Sequence, residues 1–311
     1  MNSKLLKEKI VKTGLFSCAA FSILLVLAII GYLAFMGGPA VIGFLMHGTG
    51  AFNGLSVGPG NQVLIAMGST VYLALGGTAL AIAIGLPCAI YMAEFADMRL
   101  RNVTKTSLEV LDGFPSIVIG LIGWQLLVTP STSYTFTYFL HTSSKMEFEG
   151  CILFGWLILL VMSFPIIATI SEDALRAVPN ELREASLGLG ATKWQTTREI
   201  LLPSAMSRIA TSILLSLAAA MGEMVALNWV LNGAIYQALM QSPSYLILNP
   251  LIQTQTLSII MENGYSSAMD QTASPGPGIY ALGFILFVMI GMVNIAARMA
   301  LANQNKKTGV N

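Results

Sequence analysis

The sequence predicts an all-α protein that crosses a membrane six times. Of its 311 residues, 55% are hydrophobic and only 10% are charged, whereas about a quarter are charged in an average soluble domain. The mean hydropathy is +0.73. Six apolar runs are long enough to cross a bilayer, which takes about 20 helical residues. These predicted spans are residues 14–36, 63–93, 110–128, 151–170, 207–231 and 279–301.

The first run follows a lysine-rich start and could be mistaken for a secretory leader. Its apolar stretch is longer than the roughly 7–15 residues found in the core of such leaders. We therefore expect it to remain in the protein as the first membrane span.

The basic residues predict the orientation of the spans. Four lysines precede the first span, three basic residues lie in 94–109, five in 171–208 and three at the C-terminal end. Among the alternate connections, 37–62 and 232–278 have none, and 129–150 has only Lys145. Because cytoplasmic loops carry the excess of Lys and Arg, both termini are predicted to be cytoplasmic.

Cysteine and histidine residues show no pattern of a metal or redox site. Cys18, Cys88 and Cys151 lie in apolar runs without close spacing, and His47 and His141 are isolated. The sequence therefore predicts no metal, no cofactor and no disulfide framework. It also contains no grouping of nucleophile and base that would support a membrane enzyme.

Prolines and glycines mark the places where we expect irregular backbone. Pro87, Pro115 and Pro165 lie within predicted spans, where each would kink or break a helix. Residues 251–264 could form a short helix that partly re-enters the membrane or lines an outer vestibule; a surface helix is the alternative.

The 171–208 loop is the longest polar segment and is predicted to fold into two helices. Pro179 fits the first turn of one helix, and Gly188 with Gly190 would end it. Thr192 and Gln195 have the spacing of a capping box for a second helix over 193–201. Pro203 is expected to stop that second helix before the fifth span.

An apolar stripe runs along the first of these helices. Leu182, Ala185 and Leu189 recur at helical spacing beside charged residues. Helices this short are marginal alone in water. The loop is therefore expected to rest against the membrane surface or another protein.

The spacing within this loop resembles a family motif. Glu184-Ala185-Ser186 is followed by Gly190, six residues after the glutamate, and later by Ile200-x-Leu202-Pro203. This resembles the EAA loop of ATP-binding-cassette (ABC) importer permeases, with Ser186 in place of the second alanine. The resemblance implies that the loop docks into a groove of an ATPase subunit, with coupling residues Glu184, Ala185, Ser186, Gly190, Leu202 and Pro203.

Further segments extend the likeness to phosphate-specific permeases of that superfamily. These are GFPSIVIG at 113–120 and MGEMVALNWVLNG at 221–233. The resemblance implies a type I importer permease (MetI-like) core over 62–302, preceded by 1–61 and followed by a tail, 303–311. It also implies two ATPase subunits, a second homologous permease, an extracytoplasmic binding protein and membrane lipid as partners, and no nucleic acid.

Energy would have to come from such a partner, because no ATP site is visible in the sequence. Gly188-x-Gly190-x-x-Lys193 superficially suggests a nucleotide loop. It lacks the spacing of a P-loop and the third glycine of a dinucleotide fingerprint.

Glu223 is the one acidic residue well inside a predicted span. A carboxylate there costs about 2.5–3.5 kcal/mol on insertion scales, so such residues face a bundle interior or a watery path. In a continuous helix, Ser212, Ser216, Ala219 and Glu223 would share one polar face, with Asn228 farther outward. We expect Glu223, Ser216, Ala219 and Asn228 to line a substrate path; a carboxylate satisfied by helix packing is the alternative.

The resemblance breaks at Ala219, where phosphate permeases commonly have an arginine. A second permease could supply that cation, the anion could be handled differently, or the substrate could be another one. Molybdate, sulfate and organic solutes therefore remain open. A secondary carrier with Glu223 as proton relay is a further alternative.

Overall fold

The computed structural model describes residues 3–47, 61–128, 150–231, 254–270 and 276–308. Across these ranges the secondary structure is helical, without a strand. In chain order the helices are α1 (Ser3–His47), α2 (Asn61–Ile90), α3 (Met98–Asp112), α4 (Ser116–Gly123), α5 (Ile152–Arg176), α6 (Asn180–Gly188), α7 (Lys193–Thr196), α8 (Leu202–Gly222), α9 (Val225–Leu231), α10 (Leu257–Asp270) and α11 (Pro277–Thr308). Three π-helical turns continue α2, α4 and α7, at Tyr91–Phe95, Trp124–Val128 and Thr197–Leu201.

Five helical segments are each long and apolar enough to cross a bilayer. A sixth candidate is the pair Met98–Asp112 and Ser116–Val128, which bends by 90° at the break between them. Six spans result if this bent pair counts as one. The single segments are Val11–Gly43, Val63–Phe95, Ile152–Arg176, Lys193–Gly222 and Pro277–Met299.

One compact unit contains α1 together with residues 263–270 and 276–287. Gly37 lies against the backbone of Ala281, so closely that a Cβ atom at Gly37 would be 2.6 Å from the Ala281 nitrogen. The predicted outward loop beginning at residue 37 is therefore wrong at its start, because α1 continues to His47 through this contact and through Pro39.

The second unit contains the described residues of 61–262 together with 288–308. Here α2 packs closely on α5: a Cβ atom at Gly76 would overlap the Trp156 ring, and the Trp156 indole N–H donates to the Tyr72 carbonyl at 3.3 Å. Helix α8 packs on α5 as well. The buried hydroxyls of Ser171 and Ser212 lie 3.1 Å apart between them.

The predicted cytoplasmic loop at 94–109 is largely helical and forms α3. Leu108 on α3 is buried against Met92 and Ala168. The chain then breaks at residues 113–115, and Pro115 precedes the first turn of α4, a position where a missing N–H costs nothing. By contrast, α2 and α5 continue through Pro87 and Pro165 without ending there.

Helix α10 begins inside the second unit. Leu257 is fully buried, and its N–H donates to the Thr70 hydroxyl at 3.0 Å. The hydroxyls of Thr254 and Ser69 also pair. A surface helix is therefore the wrong description for the start of α10, because its first turn is packed and hydrogen-bonded; residues 251–253 lie outside the described ranges.

Candidate functional site

Residues 180–201, which we call the docking segment, fold by local signals that the sequence predicts. Pro179 directly precedes α6. Gly190 lies in the following turn with φ of +89°, a conformation that glycine adopts without strain. The Gln195 N–H donates to the Thr192 hydroxyl at 3.3 Å, and the Thr192 N–H donates to the Gln195 side-chain oxygen at 2.8 Å. The predicted capping box is confirmed.

The helix after this capping box does not stop at Pro203, contrary to the prediction. The backbone remains helical from Lys193 to Gly222. Pro203 lies in the first turn of α8, directly after the π-helical turn Thr197–Leu201. In a regular α-helix the proline ring clashes with the carbonyl four residues earlier. The wider π-helical turn shifts that carbonyl relative to the ring, so the helix can continue through Pro203. The docking segment is thus continuous with α8.

The docking segment exposes four large apolar side chains. Leu189 is 91% exposed, and Leu182, Leu187 and Trp194 are 42%, 45% and 54% exposed. Exposed apolar groups rimmed by polar residues are typical of a contact with another protein or a membrane. The same surface includes three of the predicted coupling residues, Glu184, Ala185 and Gly190.

Ser186, where the EAA motif has its second alanine, is buried in the docking segment. Its side chain is only 5% exposed, and its hydroxyl lies 2.9 Å from that of Thr196. The Thr196 hydroxyl also lies 3.1 Å from the Thr192 carbonyl. These contacts close the turn between α6 and α7.

The two remaining predicted coupling residues, Leu202 and Pro203, differ in how exposed they are. Pro203 is exposed. Leu202 is partly buried and packs against a cluster contributed by the end of α5 and the start of α8. Leu202 therefore anchors the docking segment to the helices instead of extending its exposed surface.

Arg183 attaches the docking segment to the ends of two long helices. Its Nη2 donates to Glu94 at 2.9 Å and to the Leu175 carbonyl at 2.8 Å, and its Nη1 donates to the Val178 carbonyl at 2.8 Å. The side chains of Arg183 and Glu94 are only 18% and 14% exposed. From the sequence Arg183 is only one of the charged residues of the loop. Its contact with Glu94 could not be predicted, because Glu94 lies 89 residues away.

A cavity of about 90 Å³ lies beside the break between α3 and α4. It is lined by two carboxylates, Asp112 and Glu223, and by Ser163, while Ala219 and Ile166 are among its apolar walls. No basic side chain is among the described residues that line it. The described residues therefore give the cavity an acidic lining.

Glu223 lies at a helix break, which corrects the predicted continuous span over 207–231. Helix α8 ends at Gly222, and Glu223 is extended with φ of −68° and ψ of 126°. Its Oε1 accepts the Ala226 N–H at 2.9 Å, and its carbonyl accepts the Ser258 hydroxyl at 3.1 Å. Such contacts satisfy the backbone groups that a break would otherwise leave unpaired.

This break separates the residues that we predicted to share one helical face. Glu223 and Ala219 both line the cavity, but Ser216 does not. Ser216 is fully buried, and its hydroxyl has no hydrogen-bond partner among the described residues. Beyond the break, Asn228 donates to Glu262 at 3.1 Å.

The meeting of Asp112 with Glu223 at one cavity was not predicted. The sequence placed Asp112 near one end of the third span and Glu223 beyond the middle of the fifth. The 90° bend at 113–115 brings the end of α3 to the end of α8. Gly113 and Pro115 are the sequence signal that could have indicated the bend.

The features together are those of a membrane transport permease: apolar helices long enough to span a bilayer, a polar cavity at two helix breaks, and a folded polar segment with an exposed apolar surface. The chain belongs to the family of binding-protein-dependent transport system inner membrane components, whose pattern matches residues 85–302. The predicted all-α permease fold and the family resemblance are confirmed, and this class of subunit is not an enzyme.

Similar proteins include the probable ABC transporter permease protein YqgH of Bacillus subtilis, 32% identical over 68% of this chain and 62% of that protein. The phosphate transport system permease protein PstC of Xylella fastidiosa is 28% identical over 74% of this chain and 70% of its own length. PstA 1 of Mycobacterium tuberculosis, also a phosphate transport system permease protein, is 29% identical over 71% of this chain and 64% of its own length.

Solved structures show the same fold. A chain of the MetNI methionine ABC transporter in an inward-facing conformation superposes with a TM-score of 0.54 at 17% identity, covering 78% of this chain and 95% of that chain. A bacterial alginate ABC transporter chain, solved with an alginate-bound periplasmic protein, gives 0.51 at 16% identity, covering 96% and 98%.

Proposed function

We propose that this chain is a permease subunit of an ATP-driven importer that carries phosphate across the cytoplasmic membrane. The docking segment is the observation that carries the coupling part of the proposal. The substrate is supported by the names of similar proteins, two of which are phosphate transport system permeases.

The docking segment provides the surface for an ATPase subunit. Leu182, Leu187 and Leu189 are exposed although the turn between α6 and α7 is held by buried hydrogen bonds, as expected of a prefolded surface for a partner. In this proposal each complex contains two ATPase subunits. One binds this chain, and the other binds a second permease of similar fold. The distribution of basic residues supports a cytoplasmic location for the docking segment and for both chain termini.

The acidic cavity supports a second permease as part of the path. A phosphate ion that leaves water needs positive partners or hydrogen-bond donors, and the described lining offers two carboxylates and no cation. Asp112 and Ala219 are also exposed in this chain. In our proposal the second permease covers this face and supplies the missing cation, while an extracytoplasmic binding protein delivers the substrate.

Glu223 would select among anions in this arrangement. Its Oε1 is engaged by the Ala226 N–H, and its second oxygen makes no hydrogen bond to the described residues. That oxygen can accept a hydrogen bond from a protonated phosphate but repels a fully deprotonated oxyanion. Glu223 therefore favours a substrate that carries a proton at neutral pH.

Competition between anions tests the substrate directly. Vesicles that contain the complete complex are given labelled phosphate with an excess of unlabelled phosphate, molybdate or sulfate. We expect only unlabelled phosphate to suppress uptake strongly. No uptake of labelled phosphate, with ATP-dependent uptake of labelled molybdate or sulfate by the same vesicles, would assign the chain to a different oxyanion.

A further inference from the structure

Glu172, near the end of α5, is a fully buried carboxylate that holds α3. Its Oε1 accepts Arg101 Nε at 2.7 Å, and its Oε2 accepts Lys105 Nζ at 2.9 Å. Arg176 approaches Oε1 at 3.7 Å from within α5. The side chain of Glu172 is 0% exposed, while those of Arg101 and Lys105 are 16% and 22% exposed. A carboxylate buried this deeply is destabilising unless its basic partners are held beside it.

The same end of α5 also holds the docking segment. Arg183 donates to the carbonyls of Leu175 and Val178, three and six residues after Glu172. One short stretch, 172–178, therefore carries both the attachment to α3 and the attachment to α6. Apolar packing supports each attachment, through Leu108 on α3 and through Leu201 at the end of the docking segment.

Helix α3 leads from this junction to the cavity. It has 15 residues, so at 1.5 Å per residue it is about 22 Å long. Arg101 is near its start and Lys105 is at its middle, and Asp112, its last residue, lines the cavity with Glu223. A displacement applied at Arg101 and Lys105 would therefore reach the cavity wall through one rigid element.

We propose that Glu172 is a positioning residue that joins the docking segment to α3, so that movement of an ATPase-bound docking segment changes the Asp112 side of the cavity. The inference rests on the proposed function. It assigns to Glu172 the transmission of movement, distinct from binding the ATPase subunit and from contacting the substrate.

The chain offers a matched control in the adjacent residue. Asp173 carries the same charge and also contacts Lys105, but its side chain is 63% exposed and it makes no ion pair with Arg101. Asp173→Asn therefore removes a neighbouring charge without removing the buried contact between α5 and α3.

The test compares phosphate uptake with ATP hydrolysis for the complete complex in proteoliposomes. In Glu172→Gln we expect the ATPase subunit to remain bound and hydrolysis to continue, while phosphate taken up per ATP falls by about two- to thirtyfold, the range for residues along a coupling route. Asp173→Asn should keep the wild-type amount of phosphate taken up per ATP. Glu172→Asp should keep more of it than Glu172→Gln does.

Lys105→Gln removes one of the two ion pairs between Glu172 and α3, from the partly exposed α3 side. This variant is the test if Glu172→Gln fails to assemble. A wild-type ratio in either assembled variant would overturn the inference, as would uptake and hydrolysis falling in proportion. Failure of the proposed function looks different, since the wild-type complex would then show no ATP-dependent uptake at all.

Discussion

The hydroxyl oxygens of Ser186 and Thr196 lie 2.9 Å apart inside the docking segment, where both side chains are buried. Through this contact the serine of the Glu-Ala-Ser sequence, on α6, is hydrogen-bonded to α7. It explains why an alanine position of the family motif can hold a hydroxyl in this chain.

Ser186→Ala should lower the free energy of unfolding by about 1 kcal/mol, because one buried hydrogen bond is lost while Thr196 keeps its contact with the Thr192 carbonyl. Thermal unfolding in detergent, with limited proteolysis of the docking segment, measures this. Ser204→Ala is the control, since Ser204 is exposed and, among the described residues, its hydroxyl donates to the Ile200 carbonyl within its own helical stretch. A Ser186→Ala protein that resists proteolysis as well as wild type would contradict the role of this contact.

Leu189→Ser should weaken retention of the ATPase subunit by about tenfold or more, since burying a leucine side chain contributes roughly 1.5–3 kcal/mol. Leu189 is 91% exposed in the isolated chain, so its replacement should leave the fold unchanged. The measurement is copurification of the ATPase subunit at several concentrations. Met98→Ser, at a position that is 62% exposed but outside the docking segment, is the control. Equal retention by the two variants would remove Leu189 from the contact.

Glu223→Gln should lower phosphate uptake while leaving assembly and thermal stability near those of wild type. The glutamine oxygen can still accept the Ala226 N–H, so the cap of α9 survives while the charge is lost. Glu223→Ala removes both and should also lower stability, by about 0.5–2 kcal/mol for a lost cap. Uptake in vesicles and unfolding in detergent separate the two effects. Unchanged uptake in Glu223→Gln would leave this residue only its role as a cap.

Gly120→Val should destabilise the protein by about 1–3 kcal/mol, the usual cost of overpacking. A Cβ atom at Gly120 would lie 2.8 Å from the Ala226 Cα, where α4 meets α9 beside the helix break. Thermal unfolding in detergent measures the change. Gly68→Ala is the control, because no atom lies within 4 Å of a Cβ at that position. Equal unfolding temperatures for both variants would contradict the close contact between α4 and α9.

Local signals in the sequence were sufficient for the docking segment. Pro179, Gly190, Thr192 and Gln195 act on their immediate neighbours, so their spacing alone predicts where helices begin and end. The exception was Pro203, whose effect depends on the turn that precedes it.

Long-range pairings could not be predicted in the same way. Arg101 and Glu172 are separated by 71 residues, and nothing in their local sequence marks them as partners. Hydropathy also conceals helix breaks, because residues around Glu223 remain apolar on both sides of the break. For this reason the predicted fifth span was continuous, and the meeting of Asp112 with Glu223 was missed.

Reconstituted uptake would show whether an external ATPase drives phosphate through this permease. Proteoliposomes containing this chain, the second permease and the ATPase subunits would receive labelled phosphate with its binding protein. The account predicts accumulation inside the vesicles only when ATP is present on the docking-segment side, and none from this chain alone under a proton gradient. Uptake by the isolated chain driven by that gradient, or ATP hydrolysis without phosphate movement in the complete complex, would contradict it.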